Sequence, residues 1–299
     1  MNLIKPKNLE VGDTIGILAT AGAVENKENV LRAKKFFEDK GYKVVLSENI
    51  FEEFRYLSGT DEKKIEEMHK FFSNPDVDAI ICMRGGYGAV RLIKKLDYDL
   101  IKNNPKIFCG YSDISALSVM ILKKANLMTY WGPLAQSDFG VKNPNEFTIN
   151  SFFNAVTNDE LVYAPVKDKI YHQGNAQGIL WGGNLGTIVS LCGQDFLPEE
   201  DFIFFAEDLN EVAYKIDKMM TQLMNIEQFV QYCKGIVLGD FLDMDNEQWL
   251  DELFVEIGYK LSVPVIGGFK ITHDVEKITL PYGAKAQLKE NKLYLCKHS

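Results

Sequence analysis

Three segments of this chain combine chemically capable residues with a position at the end of an apolar run. Gly110-Tyr111-Ser112-Asp113 closes the run Lys106-Ile107-Phe108-Cys109 and precedes a helical pattern from Ser115 to Lys124. A glycine two residues before a serine permits a sharp strand-to-helix turn, which holds Oγ clear of the sheet beside the positive end of the helix. That is a setting for a covalent nucleophile. The spacing is not Gly-x-Ser-x-Gly, however, and serine and aspartate are also good helix caps. Locally, capping and nucleophilic attack both remain open for Ser112. Arg84-Gly85-Gly86-Tyr87-Gly88 closes the run Ala79–Met83. Glycines here let backbone N–H groups face a ligand, as an oxyanion hole or a phosphate cradle, or simply make a tight turn. The segment lacks the Lys-Ser/Thr of a P-loop and the spacing of a dinucleotide fingerprint. The third group is dispersed. Glu207 follows the apolar run Phe202–Ala206 and precedes Asp208, and His273 ends the loop Gly267–His273. A lone acid or histidine in such a place is commonly a cap or a surface residue.

Elimination favours His273 as a base. The chain has four histidines. His69 lies in a charged amphipathic stretch, His172 in or near a linker, and His298 one residue from the C-terminus, where fraying is expected. No His-Glu-x-x-His or clustered-carboxylate metal site appears, which disfavours a metal hydrolase, and no cofactor is expected.

The elements that must position these residues follow from periodicity. Asp13–Ala19, Tyr42–Leu46, Ala79–Met83 and Lys106–Cys109 read as strands. Between and after them, apolar residues recur at helical spacing around Val30–Phe37, Ile65–Phe72, Val90–Leu96 and Ser115–Lys124. Strands alternating with helices predict an α/β fold with a parallel, flavodoxin-like sheet in residues 1–150. Such sheets bind ligands at the carboxyl ends of their strands, where the first two segments lie. Residues 137–172 lose the rhythm, and 151–172 read as a linker. A smaller mixed α/β domain is expected over 173–299, with strands at Ala176–Trp181, Phe202–Ala206 and Gly235–Leu238. Helices are expected at Asn184–Leu191 and Val212–Met224, and a terminal hairpin at Ala286–Leu295.

Composition narrows the partners. With 299 residues and a net charge of −9, neither nucleic acid nor an anionic membrane is the expected partner, since both favour a basic face. Arginine occurs only at positions 32, 55, 84 and 91, so bidentate anion donors are scarce. Five cysteines without a Cys-x-x-Cys, and an N-terminus without a leader pattern, predict a cytoplasmic protein with reduced thiols.

Taken together, the segments resemble the LD-carboxypeptidase family of serine peptidases. The resemblance rests on Leu57–Asp61, Asn74–Gly88, Leu96–Asp99, Gly110–Leu117, Trp131-Gly132-Pro133, Gly182–Leu185, Glu207-Asp208, His273 and Leu280–Gly283, in order along the whole chain. It implies a Ser112–Glu207–His273 triad between two domains, with an oxyanion hole made by the backbone N–H groups of Gly86 and Asp113. It also implies hydrolysis of the bond to the terminal D-alanine of murein tetrapeptides, in cell-wall recycling, commonly by a homodimer. The compact interval between Ser112 and Glu207 favours the murein-peptide branch over the microcin-immunity branch. A related amidase acting on a peptidyl-nucleotide antibiotic, or a binding protein of the same fold, are the alternatives. A carboxypeptidase must hold a free carboxylate, for which Arg84 is the nearest cation in sequence; a structural ion pair is the other role open to it. Gly85, Tyr87 and Trp131 are further candidates for substrate contact, with core packing equally open for Trp131. Family members often carry glycine directly before the histidine. Thr272 stands there, and since a β-branched residue resists positive φ, a differently set loop is expected.

Overall fold

The computed structural model describes residues 2–298 and divides into two compact units. The N-terminal unit spans Asn2–Asn158 and takes back Ile278–Pro281; the C-terminal unit comprises Asp159–Lys277 and the chain from Tyr282 onward. The architecture is two-domain α/β, with one sheet in each unit.

In the N-terminal unit β1 (Thr14–Leu18), α1 (Lys27–Asp39), β2 (Lys43–Leu46), α2 (Asp61–Ser73) and β3 (Ala79–Cys82) alternate, followed by α3 (Tyr98–Asn103), β4 (Ile107–Cys109), α4 (Ser115–Ala125), β5 (Tyr130–Trp131) and α5 (Glu146–Thr157). Strands β1, β3 and β4 are buried along their whole length, which is why they read as continuous apolar runs rather than alternating ones. Helix α1 starts where the Asn26 side chain accepts from the N–H groups of Glu28 and Asn29, and buries Val30, Ala33 and Phe37 against the sheet layer. The helix expected through Val90, Ile93 and Leu96 does not form. A single 3₁₀ turn, Ala89–Arg91, replaces it. Gly88 at φ +135° and the capture of the Ala89 N–H by Asp113 set this backbone into a turn. Leu92, Ile93 and Leu96 are buried all the same, so the apolar spacing that mimics a helix serves a packed loop.

The C-terminal unit contains β6 (Glu160–Tyr163), β7 (Lys169–His172), β8 (Ala176–Asn184), α6 (Leu185–Val189), β9 (Phe202–Leu209), α7 (Ala213–Met224), α8 (Glu227–Tyr232), β10 (Cys233–Leu242), α9 (Glu247–Leu261) and β11 (Val265–Gly267). The chain then supplies β12 (Leu280–Pro281) to the N-terminal unit before closing with the hairpin β13 (Lys285–Lys289) and β14 (Lys292–Cys296). Residues 151–172 are therefore not a plain linker. They hold most of α5 and the two edge strands β6 and β7. Four-residue edge strands carry too few alternations to stand out in sequence: β6 buries only Leu161.

The first sheet has the order β12-β5-β4-β3-β1-β2, with β1 to β5 parallel and β12 antiparallel. Read from β2, this is the 2-1-3-4-5 order of flavodoxin-like folds, with its switch point between β1 and β3. The second sheet runs β6-β14-β13-β8-β9-β10-β11-β7, parallel at its centre from β8 to β11 and antiparallel on both flanks. Beneath it Trp181 packs on Phe202 and Phe204, with ring centroids 5.3 and 5.7 Å away. Among the described residues, no helix is long and apolar enough to cross a membrane.

Candidate active site

Ser112 occupies a strained turn. Its φ is +63°, in the left-handed region that costs a side-chain-bearing residue about 1–2 kcal/mol. No side-chain cap occurs at the start of the 3₁₀ turn Ser112–Ile114 or of α4, so Ser112 caps neither. The turn needs the glycine two residues earlier: a methyl group at position 110 would lie 2.9 Å from Ile114 Cγ2 and 3.1 Å from Cys82 Cβ. Strain of this kind is held in place only where surrounding structure over-determines it, and it clusters at functional sites. The geometry is that of a nucleophile elbow, with Oγ at the carboxyl end of β4 and the start of a helix behind it.

The glycine loop after β3 lies directly against this serine. A methyl group at position 85 would sit 2.9 Å from Ser112 Cβ and 3.1 Å from Oγ, so only glycine admits the approach. Gly86 and Gly88 take φ +98° and +135°, conformations that favour glycine. Asp113 fastens the two loops together: its Oδ2 accepts the N–H of Ala89 at 2.7 Å. Burial pushes the Asp113 carboxyl up to about 6. Lys64, fully buried, lies 3.3 Å from Asp61 and would touch a methyl group at Gly88 at 3.1 Å. Beyond a possible helix cap at Asp113, the sequence gives no sign of what the side chains of Asp113 and Lys64 do. Their partners lie on other elements, so no local signal pointed to them.

In the C-terminal unit Glu207 and His273 come together. His273 Nδ1 lies 2.6 Å from Glu207 Oε2, and Glu207 has no exposed surface. Burial raises the Glu207 pKa against the opposing pull of His273. Burial disfavours the His273 imidazolium, but the hydrogen bond and charge of Glu207 outweigh it and raise its pKa. Asp208, next in the chain, accepts from the Asn184 side chain and the Gly186 N–H, both at 2.8 Å, and so fixes the end of β9 to the start of α6. The loop before His273 does not need glycine. Thr272 is absent from the positive-φ residues, is fully buried, and its Oγ1 accepts the Asp274 N–H at 3.0 Å. The other histidines serve local contacts. His69 accepts the Asp97 N–H, His172 meets the Val263 carbonyl, and His298 pairs with Asp159 rather than fraying.

The remaining candidates divide. Arg84 pairs with Glu25 at 2.7 Å and donates to the Ala23 carbonyl at 2.9 Å. Tyr87 is exposed and lies against the Tyr56 ring. Trp131 has no exposed surface and packs 5.5 Å from the Tyr111 ring, which makes it a wall of the core beneath the elbow rather than a substrate contact.

Comparison with known proteins gives the family. Residues 15–132 match the LD-carboxypeptidase N-terminal domain and residues 177–288 the LD-carboxypeptidase C-terminal domain, so the chain belongs to this peptidase family. It is 32% identical to the "Probable murein peptide carboxypeptidase" of Bacillus subtilis (strain 168), over 95% of this chain and 91% of that one. It is 29% identical to the microcin C7 self-immunity protein MccF of Escherichia coli, over 93% and 90%. Among solved structures, the MccF-like protein from Bacillus anthracis str. Ames superposes with a TM-score of 0.90 at 28% identity, covering 99% of this chain and all of its own (100%).

Proposed function

We propose that this chain is a serine LD-carboxypeptidase that removes the terminal D-alanine from murein tetrapeptides. The observation that carries the reading is the strained Ser112 elbow seated on Gly85, in a chain that also holds a buried Glu207–His273 pair. In this mechanism His273 takes the Ser112 Oγ proton as the oxygen attacks the scissile carbonyl. Glu207 holds Nδ1–H and stabilises the imidazolium. The N–H groups of Gly86 and Asp113 hold the tetrahedral oxyanion, an interaction whose loss typically costs about 10²–10³ in rate. His273 then protonates the departing D-alanine nitrogen, and water hydrolyses the acyl-enzyme. Serine and dyad belong to different units, and a substitution in either should lower turnover by orders of magnitude. Murein-peptide recycling in the cytoplasm by a homodimer is part of the proposal, supported by the family resemblance.

The similarity to MccF, which has been solved in complex with aspartyl sulfamoyl adenosine, favours a second reading, hydrolysis of an aminoacyl sulfamoyl-adenylate. Mass spectrometry of tripeptide formation from a tetrapeptide, run beside cleavage of that nucleotide, separates the two. Tripeptide from wild type and none from Ser112→Ala is the expected result. Equal product from both proteins sinks the mechanism.

A further inference from the structure

A carboxypeptidase has to recognise a free carboxylate one residue beyond the oxyanion hole, and a cation placed there would do so. The substrate's free carboxylate lies a single residue past the scissile carbonyl, and successive Cα atoms are about 3.8 Å apart. The guanidinium of Arg84 is built into that distance from Gly86. Methyl groups placed at Gly22 and Gly86 would each come within 3.3 Å of it, so both glycines leave room around the group. The Gly22 N–H donates to the Gly85 carbonyl at 3.0 Å, joining the loop after β1 to the loop after β3 at the switch point of the sheet. Arg84 is thus a fixed part of the same corner as Ser112, whose Oγ lies against Gly85.

Its donors are divided in a useful way. Nη1 is committed to the Ala23 carbonyl and to Glu25 Oε1. Nε and Nη2 have no hydrogen-bond partner among the described residues and are not sealed from solvent. These two groups form the side edge of the guanidinium, the fork that matches a carboxylate with two parallel N–H···O bonds. Glu25 is held in turn: its N–H donates to Gln136 Oε1 at 2.9 Å, and Gln136 is buried. The other arginines are engaged elsewhere. Arg32 donates to the Gly140 carbonyl, Arg91 grips Asp61 at 2.7–2.9 Å, and Arg55 lies beside the Phe54 ring.

We infer that the Nε/Nη2 edge of Arg84 binds the free C-terminal carboxylate of the peptide, with Glu25 and the Ala23 carbonyl as positioning groups that hold Nη1 and aim the open edge. The inference rests on the proposed hydrolase reading and names the specificity determinant of that site.

The test uses a tetrapeptide ending in D-alanine and the same peptide with a terminal carboxamide, titrated calorimetrically into full-length Ser112→Ala. The acid should bind at least ~10-fold more tightly than the amide, the scale of a charge-assisted hydrogen-bonded pair. Adding Arg84→Gln should remove that preference and leave amide binding within about twofold; Arg84→Lys, which keeps charge but not the fork, should fall between. Glu25→Ala should weaken only the acid, by several-fold. A preference that survives Arg84→Gln, or equal weakening of both peptides, overturns the inference. If Arg84→Gln loses its cooperative melt, Arg84→Lys decides: an acid preference as large as that of the parent protein overturns the inference. Failure of the hydrolase reading looks different: wild type releases no D-alanine although Ser112→Ala still discriminates acid from amide through Arg84. Binding of neither peptide overturns both.

Discussion

The His273 ring meets Glu207 through Nδ1 at 2.6 Å, so in the proposed mechanism the proton exchange with the serine falls to Nε2. The carboxylate it meets is wholly buried, so the contact is not diluted by solvent. Replacing Glu207 by glutamine keeps size and hydrogen bonding but removes the charge. The expected loss in kcat is about 10⁴-fold, as when a triad acid becomes its amide. The sign of the pH effect also follows. His273 must be neutral to accept a proton, and Glu207 raises its pKa, so the acid limb of kcat/KM in Glu207→Gln should move to lower pH. A limb that stays in place would show that His273 does not titrate in the rate profile.

Gly85→Ala tests the seat of the serine. Its methyl group would meet Ser112 Cβ at 2.9 Å, and that neighbour is held by a strained backbone. A shift of about 1 Å at a reacting atom costs on the order of 10²-fold in rate. Steady-state kinetics should show that loss with a melting temperature lowered by only a few degrees. Retained activity would mean that Ser112 is not the reacting group.

Ser112→Gly and Ser112→Ala should both be inactive yet differ in stability. At φ +63° alanine keeps the left-handed strain and glycine releases it. Glycine should therefore be the more stable variant by about 1 kcal/mol in urea unfolding, since the relief outweighs its greater unfolded-state entropy. Equal stability would place the turn in an unstrained conformation in solution.

Asp113→Asn should alter the pH dependence of stability. Burial raises the Asp113 pKa to about 6 from an ordinary value of 3.8. An acid whose folded pKa is raised binds more protons folded than unfolded, so its contribution to stability declines as pH rises between those values. The asparagine variant lacks this decline. Its melting temperature relative to wild type should climb from pH 4 to pH 6.5 and level off above. A flat difference would indicate that Lys64 and the Ala89 N–H hold the carboxylate ionised throughout.

The sequence by itself determined the architecture and the places where chemistry could occur. Buried parallel strands must be apolar along their length, and tight strand ends must carry glycine, so β1, β3 and β4 and the loops at Gly85, Gly86 and Gly110 were legible residue by residue. Four histidines left few choices for a base. Periodicity failed where it had little chain to work with, in the edge strands β6 and β7, and where a backbone donor was claimed from afar, as Asp113 claims Ala89. Apart from the pairing that the family resemblance implied, tertiary structure decided which polar groups meet. Glu207 and His273 are 66 residues apart, and Arg84 finds the Ala23 carbonyl 61 residues upstream. Neighbours at the ends of parallel strands are separated in sequence by whole crossover connections, so their pairing depends on strand order and register, which no local pattern of residues records.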